Sequence, residues 1–241
     1  MSIIRRFFST SLTYPKIYHK FSALDLDGKT KVEYRIQDFP QDRFAEGVEF
    51  TLNHFFAHEP MSKTRNIIND KVACQEFSDV LTELLKKNCS LICLKENSDE
   101  IVSANIMCVK NEEEYYEDYE VKSKHLSDIL GTITFANTKF NPFKHYNVDK
   151  LLYALTVTVH PAYRGRSVAN QMFKTRRILT KELGLKVTTT HATAGGSQKA
   201  AKNAGFEENF VITYEELEKL NPRFHFPGID TKYFKVMSFK I

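Results

Sequence analysis

The sequence of 241 residues predicts a mixed α/β fold in which one β-sheet is flanked by helices, and three observations carry that expectation. Strand-like and helix-like stretches alternate along the chain, the pattern of a sheet covered by helices. Residues 151–159 form an apolar, β-branched run of the kind buried inside a sheet. A basic turn then carries that run straight into a long amphipathic helix.

Leu152, Tyr153, Leu155, Val157 and Val159 supply the apolar run, with threonines at 156 and 158. His160-Pro161 ends it, because proline has no amide with which to continue a ladder. The turn Tyr163-Arg164-Gly165-Arg166-Ser167 follows, and Val168, Ala169, Met172, Phe173, Ile178 and Leu179 recur at helical spacing. A turn that opens a helix offers unpaired N–H groups at the positive end of the helix dipole, and both suit a phosphate. Arg164 and Arg166 would add charge-assisted bonds to the same anion. A phosphate-bearing ligand is expected at this turn.

Residues 1–24 contain no Asp or Glu, while Arg5, Arg6, Lys16 and Lys20 are basic and serines and threonines punctuate the segment. This composition suits a mitochondrial transit peptide and equally a frayed terminus, so the expected location is mitochondrial in the first case and cytoplasmic in the second. Residues 25–241 are expected to form a single domain. In residues 31–37, Val32, Tyr34 and Ile36 alternate with polar residues, a strand with one buried face. Phe44, Val48, Leu52 and Phe55 recur at helical spacing after Pro40. Residues 70–87 predict a second long helix through Phe77, Leu81, Leu84 and Leu85, and residues 90–95 and 101–109 predict a hairpin.

The acidic, tyrosine-rich run at 112–120 reads as a solvated loop, with a negative lip that attracts cationic amines as the alternative. A helix is expected over 122–137. Phe140, Phe143 and Tyr146 follow in an aromatic loop, where they either line an apolar pocket or pin the loop to the core. A strand at 185–190, a short helix at 198–204 closed by Gly205, and strands at 210–213 and 233–240 complete the chain.

Composition narrows the function. The net charge of +4 is mild and its lysines are scattered, which argues against a nucleic-acid partner. No apolar run approaches the ~18 residues of a membrane-spanning helix. Cys74, Cys89, Cys93 and Cys108 are spaced too irregularly for a zinc site, so no metal is expected. Glu59 stands out instead. Phe55 and Phe56 precede it and Pro60 and Met61 follow, and a carboxylate in such apolar company suits a general base working near neutral pH. His58 is the alternative base.

At these residues the chain resembles the GNAT superfamily of acetyl-CoA-dependent N-acetyltransferases, whose pyrophosphate loop reads Gln/Arg-x-x-Gly-x-Gly/Ala. The matching positions are Arg164, Ser167 and Ala169, so serine stands where the family has glycine. It reads as a residue that opens the helix as a good N-terminal residue, rather than one held at positive φ. The segment FFAHEP is similar to the FF-x-x-EP segment of the insect-type arylalkylamine N-acetyltransferases, in which this glutamate is the catalytic base. Thr193 and Ser197 lie where those enzymes carry serines beside the thioester, and Ser197 reads as a proton donor to the leaving thiolate or as a helix cap. The tyrosine that many GNAT enzymes use as general acid is replaced by Ala201.

The resemblance covers nearly all of residues 31–241. It implies a GNAT-like acyl-CoA N-acyltransferase fold with a mixed, mostly antiparallel twisted sheet. It also implies acetyl-CoA as acetyl donor and a small-molecule primary amine, an arylalkylamine, as acceptor. A backbone N–H of the strand from Val157 to Val159 would stabilise the oxyanion that develops on the thioester, and the resemblance implies a second strand that splays from it to admit the pantetheine arm. Arg164, Gly165, Arg166, Ser167, Val168 and Ala169 would hold the pyrophosphate. Two alternatives stay open: a GNAT enzyme for a polyamine, an amino acid or a protein amine, and a non-catalytic module that binds coenzyme A.

Overall fold

The computed structural model describes residues 15–117 and 120–241. Strands β1 (Ile17–Leu24) and β2 (Lys31–Asp38) form a hairpin, and helices α1 (Phe44–Phe55), α2 (Pro60–Thr64) and α3 (Lys71–Leu85) follow. Next come β3 (Leu91–Lys95), β4 (Ile101–Asn111), α4 (Glu112–Tyr116), α5 (Lys124–Lys139) and α6 (Pro142–Tyr146). Strand β5 (Lys150–Val159) leads into α7 (Val168–Glu182), β6 (Val187–Ala192) and α8 (Gly195–Asn203). The chain ends with β7 (Glu207–Thr213), α9 (Tyr214–Leu220) and β8 (Tyr233–Lys240).

The strands form one eight-stranded sheet in the order β1-β2-β3-β4-β5-β6-β8-β7. Every neighbouring pair is antiparallel except β5 and β6, which run parallel through the crossover helix α7. The sheet has two covered faces. Against one, α1, α3 and α5 bury Phe56, Phe77, Leu81 and Ile129 on Ile106, Tyr153 and Val236. Against the other, α7 buries Met172 and Leu179 on Tyr34, Leu91, Cys93 and Met107. The mostly antiparallel sheet between helices is as expected.

Local chemistry sets the boundaries. Asp70 caps α3 by accepting from the amides of Val72 and Ala73, and Ser123 caps α5 through Leu126. Gly47 lets α1 settle onto the end of β2, since a Cβ there would stand 2.1 Å from the Phe39 ring. Among the described residues no helix is long and apolar enough to cross a membrane.

Three expectations need correction. Part of the N-terminal segment belongs to the domain, because Ile17–Leu24 pairs along β2 as the first strand of the sheet; residues 1–14 of the transit-peptide reading lie outside the described residues. The acidic run is not wholly a loop, for Asn111 and Glu114 form a reciprocal capping box that starts α4. The aromatic loop contains α6, begun by Asn141 with Pro142 at its first turn. Phe143 and Tyr146 are buried in the core and Phe140 packs against it, so all three pin the segment and none lines the main cavity.

Candidate active site

The site begins where two parallel strands part. The β5/β6 ladder runs only from Leu152 opposite Thr188 to Ala154 opposite Thr190. A bulge at this point, between Ile106 and Met107 in the pairing of β4, inserts Leu155 as an extra residue in β5. Beyond it, the His160 amide donates to the Val102 carbonyl at 2.9 Å. The Ser103 hydroxyl and the Asn105 amide donate to the carbonyls of Thr158 and Thr156, both at 2.7 Å. The even-numbered backbone groups therefore face β4. Strand alternation turns the amides of Val157 and Val159 the other way, into the gap that β6 leaves.

The turn after β5 closes one end of this gap. Gly165 has φ +77° and Ser167 has φ +61°, so the position where the motif calls for glycine does require left-handed backbone. The expectation that serine merely opens the helix is overturned: Ser167 makes no side-chain capping bond and its backbone is strained. Arg164 lines the cavity, and burial pulls its pKa below the ordinary arginine value. Arg166 does not line it. Its guanidinium donates to the carbonyls of Ala162 at 2.6 Å, Arg164 at 3.1 Å and Asp25 at 3.1 Å, bracing the turn against the β1–β2 connection.

Glu59 lines the same cavity, which measures about 550 Å³. It is 7% exposed and is the N-cap of α2, with Pro60 at the first helical position. The expected apolar company is only half of its setting. Its carboxylate accepts from the Met61 amide at 3.1 Å, the Ser62 amide at 2.7 Å and the Ser62 hydroxyl at 2.6 Å. Three donors and the proline fix its orientation. Tyr214 lies near it, and burial first, then the Glu59 and Asp230 charges, push that phenol well above the usual tyrosine value. The Tyr214 hydroxyl donates to the Thr193 carbonyl at 3.3 Å.

Thr193, Ser197, Val157, Val159, Val168 and Ala169 also line the cavity, together with His58, Gly165 and Ser167. Ser197 lies inside α8 rather than at its cap, and its hydroxyl donates to the Ala194 carbonyl at 2.8 Å.

No family model matches the chain, and no curated protein does. Solved structures do. A crystal structure from the yellow fever mosquito Aedes aegypti, designated arylalkylamine N-acetyltransferase 7, is 35% identical to this chain. The match covers 96% of this chain and 98% of that one, with a TM-score of 0.92. The chain belongs to the arylalkylamine N-acetyltransferases, which are GNAT-type enzymes. Arylalkylamine N-acetyltransferase 2 of the same mosquito shares the fold at 21% identity and TM-score 0.75, covering 86% of this chain and 99% of that one. So does the Drosophila melanogaster polyamine N-acetyltransferase that forms N-acetylagmatine, at 16% identity and TM-score 0.73, covering 86% and 100%. The protein is thus an amine N-acetyltransferase, and enzymes of this type use acetyl-CoA.

In this acetyltransferase part of the cavity wall is apolar, built by Phe55, Phe56, Phe77, Ile129, Ile133 and Leu155. Buried polar groups hold that wall in place. Asp128 of α5, 4% exposed, takes Arg223 Nε at 2.8 Å and Arg65 Nη2 at 3.3 Å, tying α5 to the end of α2 and to the segment after α9. Asn137 donates its amide to the Tyr115 carbonyl at 3.0 Å, which turns its oxygen toward His191 Nε2 at 2.8 Å. His191 Nε2 is therefore the proton-bearing nitrogen, and Nδ1 accepts from the Tyr153 hydroxyl at 3.2 Å. Burial, helped by Lys110, drops the His191 pKa to about 3 and keeps the ring neutral.

Sequence reasoning missed Tyr153, His191 and the Asp128 group as parts of the site. Tyr153 is visible only as an inward strand residue, and His191 only as the residue that ends a run of three threonines. Asp128 gives no local signal, since its partners are 63 and 95 residues away in the chain. Among the described residues no cluster of His, Cys, Asp or Glu is arranged to hold a metal ion.

Proposed function

We propose that this enzyme transfers the acetyl group of acetyl-CoA to a primary arylalkylamine by direct attack of the amine on the thioester, with Glu59 as general base. The observation that carries the reading is the composition of the cavity wall. Glu59 is the single acidic side chain among the described residues that line it, and Phe55, Phe56, Phe77, Ile129, Ile133 and Leu155 give that lining an apolar stretch. A monocation with an apolar, ring-sized body satisfies such a wall. A polyamine would leave its second ammonium against Phe and Ile side chains, at the cost of burying an unpaired charge. The mosquito relative designated an arylalkylamine N-acetyltransferase, 35% identical, points the same way.

The chemistry follows from the donors and acceptors. An alkylamine arrives as an ammonium with a pKa of about 10.4 and no free lone pair. Glu59 Oε2 already accepts two of the three hydrogen bonds, so Oε1 retains acceptor capacity for the ammonium N–H, directly or through a water. Once the proton has moved to Glu59, the nitrogen lone pair forms the N–C bond, the C–S bond breaks, and its electron pair leaves with sulfur. The amides of Val157 and Val159, turned into the gap, would donate to the developing oxyanion. After attack the nitrogen still carries one proton more than the amide, and Thr193 or Ser197 would relay that proton to the thiolate, each hydroxyl regaining the proton it gives, with the Ser197 hydroxyl first giving up its bond to Ala194.

Two residues at positive φ, Gly165 and Ser167, just before α7 support a diphosphate at this turn, since such backbone offers its amides to an anion, and Arg164 adds a charge. Arg166 would act through the turn that it braces. The test is thiol release from acetyl-CoA with phenethylamine, an indolethylamine, a polyamine and a dipeptide. Turnover confined to the arylalkylamines supports the reading. Faster turnover with the polyamine overturns the acceptor class, and coenzyme binding without turnover overturns the enzyme mechanism.

A further inference from the structure

Three imidazoles and a guanidinium meet at the edge of the turn without any carboxylate among them. His54 lies in the last turn of α1 and His58 in the turn that follows its end, and both line the cavity with Arg164. The His54 ring packs edge-on against His160 with centroids 4.5 Å apart, and Phe50 backs both rings at 4.9 and 6.4 Å. The Ala162 amide donates to His160 Nδ1 at 3.2 Å, which fixes this ring beside the turn. Among the described residues the one histidine paired with a carboxylate is His225, to Glu218. An anion is what such a group lacks.

We propose that His54 and His58 extend the turn into a titratable anion site, and that binding the donor's diphosphate draws a proton onto this pair. The inference rests on the reading of the turn given under Proposed function. The groups that face His54 are His160, His58 and Arg164; those that face His58 are Arg164 and Lys63. All are basic, and with burial as the larger cause they hold both histidines below their ordinary value. The nearby Glu100 accepts the Tyr163 hydroxyl at 2.7 Å, and the Glu59 carboxylate, next to His58 in the chain, accepts from Met61 and Ser62. A diphosphate at the turn reverses the sign of the local field, so the proton that solvent could not place there becomes favourable. Arg164 gains the same partner.

The experiment is calorimetry of dephospho-coenzyme A binding to the full chain, in two buffers of different ionisation enthalpy, near pH 6.5. This probe keeps the diphosphate and lacks the 3′-phosphate, whose own titration falls in that range. The proposal expects net uptake of up to about one proton, and correspondingly a Kd that tightens up to about tenfold per pH unit on acidification. His54→Gln with His58→Gln should abolish the uptake while leaving the melting temperature near that of the wild type, because neither ring anchors a helix cap. If the double variant melts early, His54→Gln alone carries the comparison. Tight binding with no buffer dependence overturns the inference and spares the enzyme reading. No binding in any buffer removes the reading of the turn and this inference with it.

Discussion

Ser167 holds a conformation that serine does not favour, and replacing it with glycine should stabilise the protein. At φ +61° the Cβ of an L-residue costs about 1–2 kcal/mol relative to right-handed backbone. Glycine removes that cost and gives back about 0.4–1 kcal/mol through the larger entropy of its unfolded chain. No bond is lost, since the Ser167 side chain caps nothing. Ser167→Gly should therefore gain about 0.5–1 kcal/mol, which for a chain of this size raises Tm by roughly 1–4 °C. Ser167→Val, with a β-branched side chain in the same backbone, should lower it by more. The assay is thermal unfolding by circular dichroism near neutral pH, with coenzyme A affinity measured on the same samples. The turn is already left-handed without a ligand, so affinity should stay within about twofold for the glycine variant. A Ser167→Gly protein that melts below the wild type would refute the reasoning, because it would mean that the backbone at 167 carries no strain.

Two more perturbations test the frame around the site. Asp128→Ala leaves Arg65 and Arg223 without their carboxylate; the loss should be about 2–3 kcal/mol in urea unfolding, below the ~3–5 kcal/mol of a fully buried pair because the Arg223 side chain is 43% exposed. An unchanged midpoint would show that the group does not hold α5. For His191, the folded pKa of about 3 lies under the unfolded value, so between roughly pH 6.5 and 3 the unfolded chain binds a proton that the folded chain refuses. Stability from this residue is thus complete above about pH 6.5 and falls by about 1.4 kcal/mol per unit on acidification, or roughly 2 kcal/mol by pH 5. Urea titrations at both pH values should show a shallower dependence for His191→Asn than for the wild type; parallel curves would contradict the buried neutral ring.

What the sequence made legible was what depends on local order. The strand, stop and turn at 151–169 carry their own signals, as does Glu59 between its aromatics and proline, and each stands where those signals put it. Features that depend on three-dimensional partners did not show. Arg166 reads as a phosphate ligand until Asp25, 141 residues away, is seen to accept from it. Strand β1 hides in a segment whose composition imitates a leader, because an edge strand needs apolar residues on one face only. Phe143 and Tyr146 are equally aromatic whether they line a pocket or fill a core, and only packing decides between the two.

The central claim is that Glu59 takes the proton of an arylalkylamine in a cavity built for one cation. The most direct measurement is kcat/KM for phenethylamine and for a polyamine as a function of pH, in the wild type, Glu59→Gln and Glu59→Ala. The account predicts that both variants lose about 10²–10⁴ of the wild-type rate near neutral pH, and that part of it returns as rising pH deprotonates the amine in solution. It also predicts that phenethylamine outruns the polyamine in the wild type. A Glu59→Gln enzyme that retains wild-type turnover near neutral pH would contradict it.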